Sequence, residues 1–363
     1  MCLIALTTKP LHPEARKRLD PLCDELHILP ISKFSIGLNV LKCLINGKPF
    51  QVGYFFNSKI KLDLSEILDR YQPTVVYGQL VRTAEYIIDA QCYRILDLQD
   101  ALSKGIERRL NRSFGPMRLI LNSEMKRLVR YEQKVIQQFD QCTIISKQDR
   151  QELPASLRDK VRIVRNGVDM IHFSPQQAEK STDILFAGNM GYPPNIIAGQ
   201  FLAKDVLPLL LSNNLSLQLT LAGATPSPLV RSLGSKNVMI TGWVDDMRDC
   251  YARAKVFVAP MTIGTGLQNK LLEAMSMGIP CITTELANNP LGAIPNKHLL
   301  IARSPIEFSN AITHLLANAD EAEELGKAGR RFIQQNYGWE AQTEPLINIL
   351  KQTDILATQE PAT

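Results

Sequence analysis

Lys270 and Glu273 stand three residues apart, just beyond Gly264-Thr265-Gly266, within the stretch Val256–Thr284, VFVAPMTIGTGLQNKLLEAMSMGIPCITT. Two glycines flanking one residue bring successive backbone N–H groups into a tight loop. A helix expected to start near Leu267 takes its apolar face from Leu267, Leu271, Leu272, Ala274 and Met275. An N–H-rich loop opening a helix is an anion site, because the free amides and the helix dipole both face the incoming charge. Lys270, in the first turn, adds a full positive charge. Glu273, one turn in, can accept hydrogen bonds from hydroxyl groups. An anion beside hydroxyls describes a nucleotide-sugar. The plainer alternative is a turn followed by a solvated i,i+3 ion pair worth only about 0.2–0.5 kcal/mol. The crowding of loop, cation and carboxylate at one helix start favours the binding site.

These residues need a scaffold, and the flanking pattern supplies one. Val256–Ala259 is a short buried run of the kind parallel sheets favour, and Cys281–Thr283 is a second one after the helix stop at Gly278 and Pro280. Further strands are expected at Ile184–Gly188, Leu217–Ala222, Val238–Thr241 and His298–Ile301. Helices are expected from near Asn195, Pro228, Met247, Leu267, Pro305 and Glu321. This alternation reads as βαβ units and a doubly wound parallel sheet, which binds ligands at the carboxyl ends of its strands. The N-terminal half alternates less cleanly, with strands at Leu3–Leu6, Leu26–Leu29, Thr74–Tyr77, Arg94–Leu96, Thr143–Ile145 and Val161–Val164. A long helix is expected from about Pro116 to Phe139. The polar segment Ser174–Thr182 separates an N-terminal domain (1–175) from a C-terminal, ligand-binding one (182–338). A helix over 339–356 is expected to cross back to the first domain, and 357–363 to be a disordered tail.

The chain has 363 residues, 45% of them apolar, which suits two ordinary globular domains. A formal charge of +5 is too small to imply a nucleic-acid partner. Seven scattered cysteines without a C-x-x-C pair read as reduced core residues. Neither the five histidines nor any Asp-x-Asp motif argues for a metal, and no cofactor is expected. There is no signal-like start and no apolar run of about 20 residues. The expectation is a cytoplasmic protein, soluble or attached to the inner face of a membrane.

Four motifs give the chain a family resemblance. They are Asn166-Gly167-Val168-Asp169 with Phe173 and Pro175; Phe186-Ala187-Gly188-Asn189-Met190-Gly191-Tyr192-Pro193-Pro194-Asn195; Thr241-Gly242-Trp243-Val244 with the helix start that follows; and the Val256–Thr284 segment. Together they resemble retaining glycosyltransferases of family 4, with the GT-B fold of two Rossmann-like doubly wound parallel-sheet domains facing a cleft. Arg130-Tyr131-Glu132 and Phe139-Asp140 are weaker signs of the same family. The resemblance implies transfer of a hexose from a nucleoside-diphosphate sugar to an acceptor hydroxyl with retention, in surface polysaccharide or glycolipid synthesis. It implies donor contacts from Gly188, Asn189, Met190, Val244, Gly264, Thr265, Gly266, Leu267, Gln268, Lys270 and Glu273.

This sequence departs from the family pattern in three places. Of the family's two glutamates eight positions apart, Glu273 matches the second, which holds ribose hydroxyls, while Thr265 stands at the first. Many relatives carry an Arg after the donor-loop glycine and a Lys five residues later; here these are Asn189 and Pro194. A diphosphate leaving group gains charge as the glycosidic bond breaks, so Lys270 is expected to take over its stabilisation. The chain opens on Met1-Cys2-Leu3-Ile4-Ala5-Leu6, which resembles a later strand of the family, so the family's opening strand and glycine-rich loop are expected to be missing, through either a misassigned start or a shortened product.

On the acceptor side, Gln79, Arg82, Asp97 and Asp100 follow expected strands and are the candidates to meet an acceptor hydroxyl. For Asp97 and Asp100, capping of the following helix is the competing role. The acceptor is expected to be a saccharide or a lipid-linked sugar. Ser103–Lys134 holds nine Lys or Arg against three Glu, a face that either is simply solvated or rests on anionic lipid. No general base is named, since such enzymes are thought to pass the acceptor proton to the leaving phosphate. The competing class is a nucleotide-sugar-binding or scaffold protein of the same fold with weak or lost catalysis. A nicotinamide dehydrogenase is poorly supported, because no G-x-G-x-x-G follows any expected strand. A sugar-nucleotide epimerase fits the same architecture, and no pyridoxal lysine site of a phosphorylase can be located.

Overall fold

The computed structural model describes residues 1–8, 11, 13–111, 113–212, 216–263 and 266–357. The chain divides into two compact units. The first comprises Met1–Ile144, Asp149–Ile163 and Pro345–Thr363; the second comprises Ile145–Gln148 and Val164–Glu344.

In the first unit, strands β1 (Cys2–Thr7) and β2 (Glu25–Pro30) pair in parallel as a sheet of two. Strands β3 (Val75–Gln79), β4 (Tyr93–Asp97), β5 (Gln141–Ile144) and β6 (Val161–Ile163) form a parallel sheet of four in sequential order. Three helices, Lys33–Asn46, Phe50–Phe55 and Ser58–Tyr71, lie between β2 and β3 in sequence. Asn57 caps the third by accepting from the amides of Lys59 and Ile60. The long helix Gly115–Gln138 buries Leu121, Leu128, Tyr131, Val135 and Ile136 along one stripe. Two of its carboxylates also turn inward. Glu124 accepts from the amides of Phe50 (2.7 Å) and Gln51 (3.0 Å), and Glu132 accepts from the amide of Ser103 (3.0 Å). Burial pushes the Glu132 carboxyl up to about 7, against the pull of its Ser103 hydrogen bonds.

The second unit contains one parallel sheet of six: β7 (Thr182–Ala187), β8 (Leu219–Ala222), β9 (Val238–Gly242), β10 (Ala254–Ala259), β11 (Cys281–Thr283) and β12 (Leu300–Ile301). Their spatial order is β12-β11-β10-β7-β8-β9. β8 is wholly buried and β10 nearly so, as strands covered on both faces must be. The chain moves outward from β7 through β8 to β9, then returns to the other side of β7 with β10. That reversal places a crevice beyond the carboxyl ends of β7 and β10, where open α/β sheets bind ligands.

The order of strands matches the sequence expectation of parallel α/β units; element ends shift by a few residues, and two such differences bear on the site. The helix expected from near Leu267 runs Asn269–Ser276, with Gln268 at its N-cap. It stops where Gly278 takes a left-handed φ of +74°, a conformation glycine adopts without cost. The division between units falls at Ile163/Val164, ahead of the expected boundary at 174–182. The Asn166–Asp169 motif therefore belongs to the second unit. Two hydrogen bonds tie the segment to the second unit: the Val168 amide donates to the Tyr337 carbonyl at 2.9 Å, and Ser276 Oγ donates to the Phe173 carbonyl at 2.7 Å. The last helix, Trp339–Ala357, begins in the second unit and continues into the first. The tail expected to be disordered lies, from 358 onward, outside the described residues.

Candidate functional site

The crevice predicted by strand order holds a pocket of about 430 Å³. Its lining includes Gly188, Asn189, Asn195, Gly223, Trp243, Val244, Tyr251, Leu267, Lys270 and Glu273, all from the second unit.

Two glycines make this approach possible. Gly188, at the end of β7, has φ +152°; a Cβ there would stand 2.7 Å from Asn195 Nδ2 and 3.1 Å from Lys270 Nζ. Gly223, at the end of β8, has φ +136°; a Cβ there would stand 1.9 Å from the Gly188 carbonyl oxygen. Neither position accepts a side chain without moving backbone or the lysine.

Lys270 reaches back from the first turn of its helix. Its Nζ donates to Asn195 Oδ1 at 2.5 Å, lies 3.9 Å from Met261 Sδ and sits 4.7 Å from the centre of the Phe186 ring. These neighbours include no anion in direct contact. Burial brings its ammonium down to about 7, opposed by the carboxylate of Glu273. Asn195 is 5% exposed and is fixed by a second bond, from its Nδ2 to the Asn189 carbonyl at 2.9 Å. Asn189 spends its own side chain on its loop: Oδ1 accepts from the Gly191 amide at 2.9 Å and from Thr225 Oγ1 at 2.6 Å.

Glu273 lies one turn further along. Its Oε2 accepts from Tyr251 Oη at 2.7 Å, and Tyr251 is fully buried against Phe257 and Phe173. Burial raises the carboxyl of Glu273, while the Tyr251 hydrogen bond, Lys270 and His172 pull it back down. At the mouth of the pocket Trp243 is 72% exposed, with its Nε1 held by Asp245 Oδ1 at 2.9 Å. A large indole held in solvent beside a pocket is a ready stacking surface for a planar ring. Asn166 joins the helix start, donating from Nδ2 to Asn269 Oδ1 at 3.2 Å.

Of the residues expected to hold the donor, Gly188, Asn189, Val244, Leu267, Lys270 and Glu273 line this pocket. Met190 does not: it is fully buried and its amide pairs with the Ala224 carbonyl. Gly266 is buried at φ +73°, and Gln268 serves as the N-cap position; neither is among the lining. Gly264 and Thr265 lie outside the described residues. Sequence reasoning passed over Asn195, Gly223, Trp243 and Tyr251 as site residues.

The acceptor-side candidates belong to the first unit. Gln79 is exposed at the end of β3. The guanidinium of Arg82 stacks 4.5 Å over the Phe55 ring. Asp97 is not open to a ligand: it is 4% exposed and accepts from Thr143 Oγ1 (3.0 Å), the Gln99 amide (3.1 Å) and the Gln99 side chain. The helix after Asp100, Leu102–Leu110, has Ala101 at its N-cap position.

No metal spacing was expected among the histidines. Among the described residues, Cys2, Glu25 and His27 bring their ligand atoms within 4.8 Å of one another. Glu25 there accepts from Arg70 at 2.6 Å and pairs with His27 at 3.0 Å, so the cluster satisfies itself.

Residues 181–318 match the family model described as glycosyl transferases group 1. An uncharacterised 44.6 kDa protein of the cps region of Klebsiella pneumoniae is 26% identical over 43% of this chain and 42% of its own length. A GDP-mannose-dependent α-(1-6)-phosphatidylinositol monomannoside mannosyltransferase of Mycobacterium tuberculosis is 26% identical over 52% of this chain and 55% of its own. The chain thus spans about half the length of these curated relatives. Among solved structures, HepE of Anabaena in complex with UDP and glucose has a TM-score of 0.67 at 12% identity, covering 97% of this chain and all of that one. Sucrose-phosphate synthase of Thermosynechococcus elongatus has a TM-score of 0.65 at 18% identity, covering 83% and 78%. Residues 181–318 of the second unit are thus similar to glycosyl transferases group 1, and the fold is GT-B.

Proposed function

We propose that the protein transfers a sugar from a nucleoside-diphosphate sugar to an acceptor hydroxyl, with retention at the anomeric carbon. One observation carries this reading: Lys270 and Glu273 enter one pocket from the first two turns of a single helix, at the crevice where the strand order reverses. Among the described residues lining that pocket, Lys270 is the only cation and Glu273 the only carboxylate.

The donor's pyrophosphate lies against the amino end of the helix Asn269–Ser276 and the Lys270 ammonium. Charge that builds on the leaving diphosphate is met by an ammonium already desolvated and aimed by Asn195. Glu273 holds the ribose hydroxyls with its second carboxylate oxygen, the first being engaged by Tyr251. The base rests near Trp243 and Val244. The leaving phosphate oxygen takes the proton of the attacking hydroxyl, so no protein base is required. The acceptor is a saccharide or lipid-linked sugar of surface polysaccharide or glycolipid synthesis, and the protein works on the cytoplasmic side of a membrane. No helix among the described residues is long and apolar enough to cross one.

The curated mannosyltransferase uses GDP-mannose and HepE was crystallised with UDP and UDP-glucose, so uridine and guanosine donors come first in the test. Thermal-shift screening against nucleoside diphosphates and their sugars should show one base preferred. A ligand at about 100 times its dissociation constant stabilises by about 2.7 kcal/mol. Transfer, or slow hydrolysis, of the same donor should follow. Absence of any nucleotide-dependent shift overturns the reading. A shift without transfer or hydrolysis supports the second reading, a donor-binding protein with lost catalysis. That reading draws on Thr265, which stands where the family pattern has the first of its two glutamates.

A further inference from the structure

Five lysines of this chain, Lys48, Lys61, Lys104, Lys255 and Lys327, each hold a carboxylate oxygen at 2.6–2.8 Å. Among the described residues, burial brings the ammonium of two others below its ordinary value, Lys180 and Lys270. Nζ of Lys180 is spent on two backbone carbonyls, those of Ala252 (2.9 Å) and Ala254 (2.8 Å). Lys270 is placed differently. Its hydrogen-bond acceptor is the neutral Oδ1 of Asn195, with no carboxylate in contact. Its side chain lines a pocket of about 430 Å³, which has room for a small reactive molecule.

A lysine in that setting is a nucleophile. With its ammonium at about 7, about half of the chains hold a free amine at neutral pH. An ordinary lysine is free in fewer than about one chain in a thousand at that pH. Lower basicity also weakens the attacking lone pair, as it does for thiolates, so the gain in rate is smaller than that ratio. Asn195 Oδ1 can only accept, so it orients the nitrogen in either protonation state, and Asn195 is itself held by the Asn189 carbonyl. The pocket is also the seat read above for a pyrophosphate, at the amino end of Asn269–Ser276. A molecule carrying both a phosphate and an electrophilic carbonyl would be presented to the amine by its own anion.

We propose that Lys270 is a covalent acylation site for small acyl phosphates, acetyl phosphate being the simplest, and that acylation closes the pocket to the donor. The Nζ lone pair forms a C–N bond to the acyl carbon, and the bond from that carbon to the phosphate oxygen breaks. Phosphate leaves with the electron pair and takes the proton that the amine gives up. The products are an amide on Lys270 and one hydrogen phosphate. The amide is uncharged, so a pyrophosphate loses the cation it would meet in this pocket. The proposal rests on the reading of the pocket as a donor site and adds its regulation. Acylation proceeds in the empty pocket, because bound donor fills it and keeps the amine protonated.

The test is peptide mass spectrometry of the full chain treated with acetyl phosphate near neutral pH, following each lysine in time. Lys270 should be acetylated at least about fivefold faster than the median of the other lysines. Inorganic pyrophosphate should slow Lys270 at least about fivefold and leave the others unchanged. Wild type acetylated at Lys270 should lose its nucleotide-induced thermal shift. Lys270→Arg, which keeps a cation that is not deprotonated in this range, should keep after treatment the shift it has before. A smaller preference for Lys270, or no protection by pyrophosphate, overturns the proposal. So does a shift that survives acetylation of Lys270, or one that treatment removes equally from Lys270→Arg. The acetylation rates are measured without nucleotide. A chain that shows no nucleotide shift before treatment therefore fails the donor reading, whereas slow acetylation with the shift intact fails this proposal alone.

Discussion

The ammonium of Lys270 lies 2.5 Å from Oδ1 of Asn195, a residue 75 positions earlier in the chain. Asn195 is nearly fully buried and is itself held by the Asn189 carbonyl. A neutral amide thus aims a buried cation without neutralising it, leaving its charge for a ligand. This is the opposite of a structural ion pair, where a carboxylate would occupy the ammonium.

Replacing Lys270 by methionine separates binding from folding. The variant keeps a long unbranched side chain and loses the charge that lies over the Phe186 ring. Donor affinity should fall by about 10- to 150-fold, the equivalent of one charged hydrogen bond at about 1.5–3 kcal/mol. The free protein should melt no lower than wild type at pH 7, because burying the ammonium is a cost the variant escapes. Titration calorimetry and thermal shift check the two halves. Donor affinity within about twofold of wild type would remove Lys270 from the site.

The same lysine makes donor binding depend on pH. In the free protein its ammonium sits at about 7, below its ordinary 10.5, because of burial. A bound pyrophosphate raises it again. The affinity it provides is therefore fully present below pH 7 and is lost as pH rises from 7 toward the value in the complex. A nucleotide-sugar should bind on the order of 10- to 50-fold more weakly at pH 9 than at pH 7, with proton uptake on binding near neutrality. Stability of the free protein runs the other way. Between pH 7 and 10.5 the unfolded chain holds a proton that the folded one does not, so this group's contribution to stability rises with pH. Lys270→Met should flatten both dependences, as calorimetry in buffers of different ionisation enthalpy and melting against pH will record.

Much of this site was legible in the sequence because its signals are local. Val256–Ala259 and Cys281–Thr283 read as buried strands from their apolar runs, and the helix between them followed from glycines at both ends. That Lys270 and Glu273 line one pocket follows from their standing one turn apart on that helix. Asn195 and Tyr251 were not legible, because nothing near them in sequence indicates that one meets Lys270 and the other Glu273. Trp243 had a motif but no local reason to stand 72% exposed. The boundary was placed late because polar composition marks Ser174–Thr182 as a loop. The attachment of Val168 to Tyr337, across most of the second unit's length, leaves no mark on the sequence around it. Asp97 had the right strand-end position for an acceptor contact, but its burial depends on Thr143 in the neighbouring strand.

The glycine pair at the ends of β7 and β8 should be intolerant of the smallest addition. In Gly223→Ala the new methyl would stand 1.9 Å from the Gly188 carbonyl oxygen, at a φ of +136° that L-residues rarely take. The backbone of both strand ends must then separate, at an overpacking cost of about 1–3 kcal/mol. The melting temperature should fall by about 2–10 °C. Gly188→Ala meets side-chain nitrogens of Asn195 and Lys270 as well, so it should weaken donor binding beyond its effect on stability. Differential scanning calorimetry with and without donor distinguishes the two.

Glu273 is the most direct probe of what the pocket recognises beyond charge. Its Oε2 is anchored by Tyr251, a fully buried hydroxyl, so the carboxylate is fixed before a ligand arrives. A fixed carboxylate suits two adjacent hydroxyls of a ribose, each hydrogen bond to a charged acceptor being worth about 1.5–3 kcal/mol. Glu273→Gln should weaken the ribonucleotide donor by about 10-fold or more but weaken its 2′-deoxy counterpart far less, because the deoxy sugar lacks the hydroxyl whose bond is lost. Tyr251→Phe should act in the same direction with a smaller effect, by loosening the carboxylate without removing it. Binding of both sugars by both variants, measured by calorimetry, closes the cycle. Equal losses for ribose and deoxyribose would place the sugar ring of the nucleotide away from Glu273 and leave the carboxylate with a structural role beside Tyr251.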